Sequence, residues 1–306
     1  MNNFDAETKV WICWMRRALH LAELGEGKTC PNPLVGAVIL DSEGNLVGEG
    51  FHERAGMAHA EVGALQQAGS KANGGTLVVS LEPCCHWGKT PPCTESILKA
   101  GISKVVIAME DPDHRVSGSG VKRLKEAGIK VLTGVLQEEA SYQNRAFIFR
   151  VQTGRSWGIL KWAMSLDGRI SLPNGKSKWI TSQESRYCVH KLRAKCDAVI
   201  VGGETVRSDN PLLTSRGLSN PEPIRVIFSK SLDLPRSSQL WDTKVSRTII
   251  ASSIKSFARK NLEELPNKPE HLSLQSSNPI NLLTALANKG LNKVLWECGP
   301  SLATEA

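Results

Sequence analysis

The first 150 residues alternate between helical and strand-like hydrophobic patterns. Residues 7–24 place apolar side chains at helical spacing and stop at Gly25, a good helix breaker. LVGAVIL and LVGEGFH flank the turn DSEGN, which predicts a hairpin. Further strands are predicted at GTLVVSLEP, KVVIAM and IKVLTGV, and further helices at HAEVGALQQAG, TESILKAGI, GVKRLKEAG and QEEASYQNRAFIFRVQTG. This alternation predicts an α/β domain over residues 1–152, largely parallel in its later part.

The pattern restarts at GRSW, residues 154–157, which predicts a second α/β domain over residues 153–306. Its predicted strands are GILKWAM, RISL, DAVIVGG, IRVIFS, RTIIAS and KVLWECG, and its predicted helices are SQESRYCVHKLRAKC and NLLTALANKG. A length of 306 residues suits two domains, each large enough to bury a core.

Composition narrows the class of protein. The chain has 41% hydrophobic and 22% charged residues, as globular proteins do. LVGAVIL is far shorter than the ~18 residues that span a bilayer, and MNNFDAETKV does not resemble a signal peptide. We therefore expect a cytoplasmic protein without a membrane partner. The net charge of +8 admits phosphorylated partners, but no basic block favours nucleic acid, so a solvated surface is the preferred interpretation.

Potential metal ligands are most concentrated in residues 80–96, SLEPCCHWGKTPPCTES, which contain three cysteines and one histidine. A metal site, a redox pair and coincidence are all possible explanations. Eight cysteines in the whole chain are too few for a disulfide scaffold, so reduced thiols or metal ligands are expected.

His59, Cys84 and Cys93 together form a plausible zinc set. One imidazole and two thiolates leave the fourth tetrahedral position open, as in catalytic zinc sites. Glu61 lies two positions after His59 near a predicted helix start, where it is poorly placed to be a ligand. It is well placed to move protons to and from a water molecule at the metal. We therefore interpret Glu61 as a catalytic proton shuttle.

These motifs resemble the zinc deaminases of the cytidine deaminase superfamily, which usually read H-x-E and P-C-x-x-C. Here eight residues separate Cys84 from Cys93. PCCHWGKTPPC, with CPNPLVGAVI, GEGFHERAG and HAEVGAL in order, resembles one branch, the bifunctional riboflavin-biosynthesis deaminase–reductases. The resemblance implies a three-layer α/β/α fold and hydrolytic deamination of a phosphoribosylated diaminopyrimidinone. It also implies substrate contacts, which would be made by Asn32, His52, His86, Lys89 and Thr90. Cys85 is interpreted as a bystander.

The second domain carries glycine turns after strands, at Gly202–Gly203 and at Gly299–Ser301, where backbone amides can approach a phosphate. No full G-x-G-x-x-G is present, so the ordinary dinucleotide-binding fold is not supported. KWAMSLDGRIS, SKWITS, LRAKCDAVIVG, TVRSDNPLLTSR and WECGP resemble the reductase half of the same family, which has a dihydrofolate-reductase-like fold.

This second resemblance implies NADPH as cofactor and reduction of the ribosyl group to ribityl. The residues that it implies for NADPH are Ala163, Trp179, Thr205, Asp209, Gly299, Pro300 and Ser301. Those that it implies for the reductase substrate are Ser177, Arg193, Leu213, Arg216 and Glu297.

The chain ends at Ala306, whereas the family continues, so we expect a C-terminally incomplete reductase sheet. One alternative is therefore a deaminase whose truncated reductase domain is inactive. A second is a nucleic-acid deaminase of the tRNA-editing type, which the long loop and the second domain disfavour. A third is a zinc-stabilised scaffold, which the complete set of zinc and proton-shuttle residues disfavours. A homodimer is the family-level expectation.

Overall fold

The computed structural model describes residues 6–87, 91–113, 117–170, 180–253, 262 and 264–306, with no statement about the side chains of residues 6–8. The chain divides into two compact units, Met1–Gln152 and Thr153–Ala306. No helix within these described ranges is long and apolar enough to cross a membrane.

The first unit contains a five-stranded mixed sheet, six α-helices and one short 3-10 helix, Gly69–Ala72, among its described residues. The strands are β1 (Gly36–Leu40), β2 (Leu46–Phe51), β3 (Thr76–Leu81), β4 (Lys104–Met109) and β5 (Lys130–Thr133). The helices are α1 (Ala6–Glu23), α2 (Ala60–Ala68), α3 (Cys93–Lys99), α4 (Ser119–Glu126), α5 (Gln137–Gln143) and α6 (Arg145–Thr153). The strand order is β2-β1-β3-β4-β5. Strand β1 is antiparallel to β2 and β3, whereas β3, β4 and β5 run parallel, so the predicted hairpin and parallel part are confirmed.

Alternate residues of the central strands build two cores, one on each face of this sheet. Ile39 packs with the alanines of α2 on one face, whereas Val38 packs with Met15 of α1 on the other. Helices therefore cover both faces, which confirms the three-layer architecture. At Gly36 of β1, a Cβ atom would lie 2.0 Å from the Ala18 carbonyl oxygen, so only glycine allows α1 to pack this closely.

The single helix predicted over QEEASYQNRAFIFRVQTG is wrong, because the segment forms two helices that are separated at Asn144. The Asn144 side chain is buried and pairs with both backbone polar groups of Leu34. Its Oδ1 accepts from the Leu34 N–H at 2.8 Å, and its Nδ2 donates to the Leu34 carbonyl at 2.9 Å. These long-range hydrogen bonds stabilise the break between α5 and α6. The helical periodicity of the sequence does not indicate them.

The second unit contains a six-stranded parallel sheet among its described residues. Its strands are β6 (Trp157–Leu160), β7 (Ala198–Gly202), β8 (Ile224–Phe228), β9 (Thr248–Ser252), β10 (Glu270–Ser273) and β11 (Lys293–Trp296). Its helices are α7 (Gln183–Ala194), α8 (Gly203–Asp209), α9 (Pro279–Asn288) and α10 (Pro300–Glu305). The strand order is β10-β9-β8-β7-β11-β6, and every neighbouring pair is parallel.

The hydrophobic pattern of the sequence predicted most of the strands and helices of this unit. The short strand β10 was not predicted, because its residues Glu270–Ser273 lack a buried apolar run. The predicted strand RISL is not formed at Arg169 and Ile170, and its last two residues lie outside the described residues. The core contains Val199, Ile227 and Ile250 from the three neighbouring strands β7, β8 and β9, together with Leu240 and Trp241.

Candidate active sites

The end of β3 and the starts of two helices bring together the first group of chemistry-bearing residues. Cys84 follows β3 after Pro83, which has no N–H with which to continue the ladder. Cys93 is the first residue of α3, and His59 is the N-cap of α2. These three residues, called here the zinc triad, are the ones that the sequence predicted as ligands.

The donor atoms of the zinc triad lie within 4.8 Å of one another. His59 Nδ1 is 3.2 Å from Cys93 Sγ and 3.6 Å from Cys84 Sγ. Tetrahedral zinc with ordinary bond lengths separates a nitrogen and a sulfur ligand by about 3.5 Å. The Cys93 N–H also donates to Cys84 Sγ at 3.3 Å, a contact that orients this sulfur. The residues therefore fit a zinc ion that keeps one position open.

Electrostatics within the triad favour a thiolate. Hydrogen bonding from the Cys93 thiol, and then from His59, lowers the pKa of Cys84 to about 4. The bond to Cys84 in turn raises the pKa of His59 above its usual value. Because zinc binds thiolates, a sulfur that ionises easily is preorganised for the metal.

Glu61 lies in the first turn of α2, and its side chain is buried. Burial raises the pKa of this carboxyl group, and the same group interacts with His59, Cys84 and Cys93. The structure therefore places Glu61 beside the triad without making it a member of the ligand cluster among the described residues. A buried carboxyl group in this position can hold a proton close to the open metal position.

Asn32 and His52 form a second layer beside the triad. The rings of His52 and His59 are 5.5 Å apart in an edge-to-face arrangement. His52 Nδ1 is 3.1 Å from the Ala58 carbonyl oxygen, so Nδ1 donates, and Nε2 accepts from Asn32 Nδ2 at 3.0 Å. Burial lowers the pKa of His52, in keeping with a neutral ring. With both nitrogens occupied, His52 is better suited to orient Asn32 than to bind a phosphate.

The loop between Cys84 and Cys93 is only partly described. His86 is exposed, and Lys89 and Thr90 lie outside the described residues. Burial raises the pKa of the Cys85 thiol, which is not a member of the donor cluster among the described residues. The interpretation of Cys85 as a bystander stays a prediction.

A cavity of about 1030 Å³ in the second unit gathers most of the residues predicted there. Its lining includes Ala163, Thr205, Asp209, Gly299, Pro300 and Ser301, which were predicted for the cofactor. It also includes Arg193, Leu213, Arg216 and Glu297, which were predicted for the substrate. Ser177 and Trp179 lie outside the described residues. The cavity is at the large end of ligand-site volumes, about 300–1000 Å³, so its size fits a dinucleotide together with a sugar phosphate.

Arg193 and Glu297 pair with each other in the lining of this cavity. Arg193 Nε donates to Glu297 Oε1 at 2.6 Å, and Arg193 Nη2 donates to Oε2 at 3.0 Å. Arg193 Nη1 donates to the Thr214 carbonyl at 2.9 Å, and Lys161 Nζ lies 3.9 Å from Glu297 Oε2. Sequence reasoning assigned no role to Lys161, although KWAM was among the motifs that resembled the family. Thus Glu297 is held between two cations, and much of the Arg193 guanidinium is already used.

An α/β/α domain with an open zinc site, followed by a parallel α/β domain with a cofactor-sized cavity, is the arrangement expected of a zinc deaminase joined to a reductase. Residues 11–109 match the family "Cytidine and deoxycytidylate deaminase zinc-binding region". Residues 156–306 match the family "RibD C-terminal domain".

Relatives match both units. The riboflavin biosynthesis protein RibD of Synechocystis is 49% identical over 293 residues, which are 95% of this chain and 79% of that protein. The solved RibD of Acinetobacter baumannii superposes with a TM-score of 0.88 at 38% identity and covers 97% of this chain and 82% of that one. A solved Thermotoga maritima protein, named a diaminohydroxyphosphoribosylaminopyrimidine deaminase/5-amino-6-(5-phosphoribosylamino)uracil reductase, has a TM-score of 0.87 at 37% identity and covers 98% of this chain and 84% of that one.

This chain belongs to the family of the riboflavin biosynthesis protein RibD, the bifunctional enzymes that combine a zinc-dependent deaminase with an NADPH-dependent reductase. The expected family, activities and cofactors are thereby confirmed. A match over both units favours this family over the nucleic-acid deaminase and the scaffold considered from the sequence.

Proposed function

We propose that the first unit deaminates a diaminohydroxy-phosphoribosylaminopyrimidine, and that the second unit reduces the ribosyl group of the product to ribityl. The observation that carries the first step is the zinc triad with the buried carboxyl group of Glu61 beside it. The activities in the name of the Thermotoga maritima relative support the same pair of reactions.

In the deaminase unit, His59, Cys84 and Cys93 would hold the metal. Zinc, when bound, supplies Lewis-acid activation of a water molecule. Glu61 would take a proton from the attacking water and return one to the departing amine, so that ammonia leaves. Its burial keeps bulk water away from this transfer.

Substrate recognition in the first unit would use two groups of residues. Asn32, held by His52, would present its amide to the polar edge of the pyrimidinone ring. His86, Lys89 and Thr90 would face the phosphate, for which cationic and hydroxyl donors are suitable.

In the reductase unit, NADPH supplies a hydride when bound. The cavity residues Ala163, Thr205 and Asp209 and the turn 299–301 would hold this cofactor, together with Trp179. Arg216 lines this cavity and would face the ribose phosphate, for which a guanidinium group is suited. Glu297, held by Arg193, would accept hydrogen bonds from ribose hydroxyls, and Ser177 and Leu213 would complete the substrate side.

The deaminase proposal is tested by ammonia release. Zinc-loaded wild type should release ammonia from the diaminopyrimidinone ribosyl phosphate. Glu61→Gln keeps the shape but cannot shuttle a proton, so kcat should fall by about 10²-fold or more while one zinc per chain stays bound. Glu139→Gln, which alters an exposed carboxyl group of the same unit, should leave kcat unchanged. A Glu61→Gln variant that turns over normally would rule out the shuttle.

The reductase proposal is tested by NADPH binding to this 306-residue chain. Saturable binding, with oxidation of NADPH when the deaminated substrate is added, would support an active second unit. Binding without oxidation would favour the alternative of a deaminase with an inactive reductase domain.

We further propose that the protein acts as a cytoplasmic homodimer on a small molecule and does not bind nucleic acid. Sedimentation equilibrium reports the oligomeric state, and cell fractionation reports the location. RNA binding that depends strongly on salt concentration would contradict the proposal that the protein does not bind nucleic acid.

A further inference from the structure

Glu82 is a buried acid that the proposed chemistry does not use. It lies between the end of β3 and Cys84, and its side chain accepts three backbone hydrogen bonds. Oε2 accepts from the N–H groups of Asp111 and Gly118, both at 3.0 Å, and Oε1 accepts from the N–H of Val121 at 3.0 Å. Such a buried carboxylate is costly unless its acceptor positions are filled, as they are here.

All three donors belong to the loop between β4 and α4 or to the first turn of α4. The N-cap of α4 is Gly118, which has no side chain to cap the helix. Glu82 supplies this cap from the segment that follows β3. The contact is tight, because a Cβ atom on Gly120 would lie 2.1 Å from the Pro83 carbonyl oxygen. Glu82 and Gly120 together therefore hold α4 against the chain segment that leads to Cys84.

The loop held by Glu82 contains two acids with neighbours in other parts of the unit. Asp111 interacts electrostatically with His86, which is a proposed phosphate contact. Asp113 lines a cavity of about 380 Å³ together with Phe147, Arg150 and Val151.

The same cavity borders the segment that carries the proposed pyrimidinone contact. Arg150 donates to the carbonyl oxygen of Pro31 at 2.9 Å, and Asn32 is the next residue. The described part of the loop between β4 and α4 is thus near His86 and near the segment that leads into Asn32. Its position relative to Cys84 depends on the carboxylate of Glu82.

We propose that Glu82 is a positioning residue for the deamination reaction, which fixes Asp111, Gly118 and the first turn of α4 against the segment of Cys84 and His86. This inference rests on the proposed deaminase function. It assigns Glu82 an effect on substrate binding, exerted through the loop, and no contact with substrate or metal.

The test is Glu82→Gln in the full zinc-loaded chain. A glutamine places an NH₂ group against at least one backbone N–H, so one or more of the three bonds is lost. Hydrogen exchange at the amides of Asp111, Gly118 and Val121 should accelerate about tenfold or more. KM should rise about tenfold, while kcat changes less than about threefold and zinc stays at one per chain.

Two further variants separate positioning from general stability. Gly120→Ala disturbs the same contact without changing a charge and should also raise KM. Arg123→Gln removes the exposed ion pair between Arg123 of α4 and Glu95 of α3 and should leave KM unchanged. If Glu82→Gln does not fold, the KM of Gly120→Ala decides between the proposal and a merely structural role: a raised KM supports the proposal, and an unchanged KM overturns it.

An unchanged KM with a lower melting temperature would overturn the proposal, since a merely structural residue behaves in this way. Loss of zinc from Glu82→Gln would also overturn it, because Glu82 would then act on Cys84. Failure of wild type to release ammonia would instead refute the proposed function. In that case the exchange rates at Asp111, Gly118 and Val121 still decide whether Glu82 holds the loop, and unchanged rates would overturn that role.

Discussion

Breaking the ion pair between Arg193 and Glu297 should destabilise the second unit strongly. The two side chains are only 13% and 10% exposed and share two hydrogen bonds. Arg193→Met leaves a nearly buried carboxylate with Lys161 as its remaining cation, 3.9 Å away. Removing one partner of a buried pair costs about 3–5 kcal/mol, and the residual exposure and this lysine favour the lower end, about 3 kcal/mol. For a unit of this size, that loss lowers the melting temperature by about 6–12 °C.

A double-mutant cycle separates the pair from other effects. Glu297→Met should cost about 2 kcal/mol, because Arg193 keeps its bond to the Thr214 carbonyl. The double variant places two apolar side chains of similar length together and should cost only about 1–2 kcal/mol, so the coupling energy is about 3–4 kcal/mol. Urea-induced unfolding of the full chain, followed through the transition of the second unit, measures all four free energies. Additive single-variant costs, with a coupling below about 0.5 kcal/mol, would refute this reasoning.

Two further predictions concern the first unit. Asn144→Ala removes both hydrogen bonds to Leu34 and leaves the backbone groups of Leu34 unpaired. The free energy of unfolding, measured by urea titration, should therefore fall by about 2–3 kcal/mol. Asn144→Asp should have an intermediate effect, because it keeps only the acceptor. The hydrogen bond with Arg17 lowers the pKa of Glu49. The pair therefore stabilises the fold at pH values above the ordinary carboxyl pKa, and this stabilisation is lost as the pH falls through the lowered pKa. Glu49→Gln should therefore have a slightly lower melting temperature at neutral pH and the wild-type value in acid; a deficit that persists in acid would contradict this.

The clustering of His59, Cys84 and Cys93 was predictable because the residue types that zinc prefers can be recognised in the sequence. A histidine and two cysteines have few other reasons to accompany an H-A-E and an E-P-C motif. Strand and helix positions were likewise predictable where burial imposes a period of two or of three to four residues. Strand β10 lacks such a buried period, and it was missed.

Partnerships between distant residues were not predictable. Arg193 and Glu297 are 104 positions apart, and each alone reads as a group free to bind substrate. His52 was predicted as a substrate contact, but its two nitrogens are occupied by Asn32 and the backbone. Hydrogen-bond saturation depends on which donors and acceptors meet, and sequence spacing carries no such information.

The sequence by itself determined the class of the protein, its two α/β units and its metal chemistry, because hydrophobic periodicity and the types of ligand residue can be recognised without knowing the fold. The tertiary structure alone decided which polar groups remain available for substrate and which hold the architecture. It ended a helix at Asn144 and committed Glu82 to the amides of a distant loop. The physical reason is that a buried polar group must find a partner in space, wherever that partner lies along the chain.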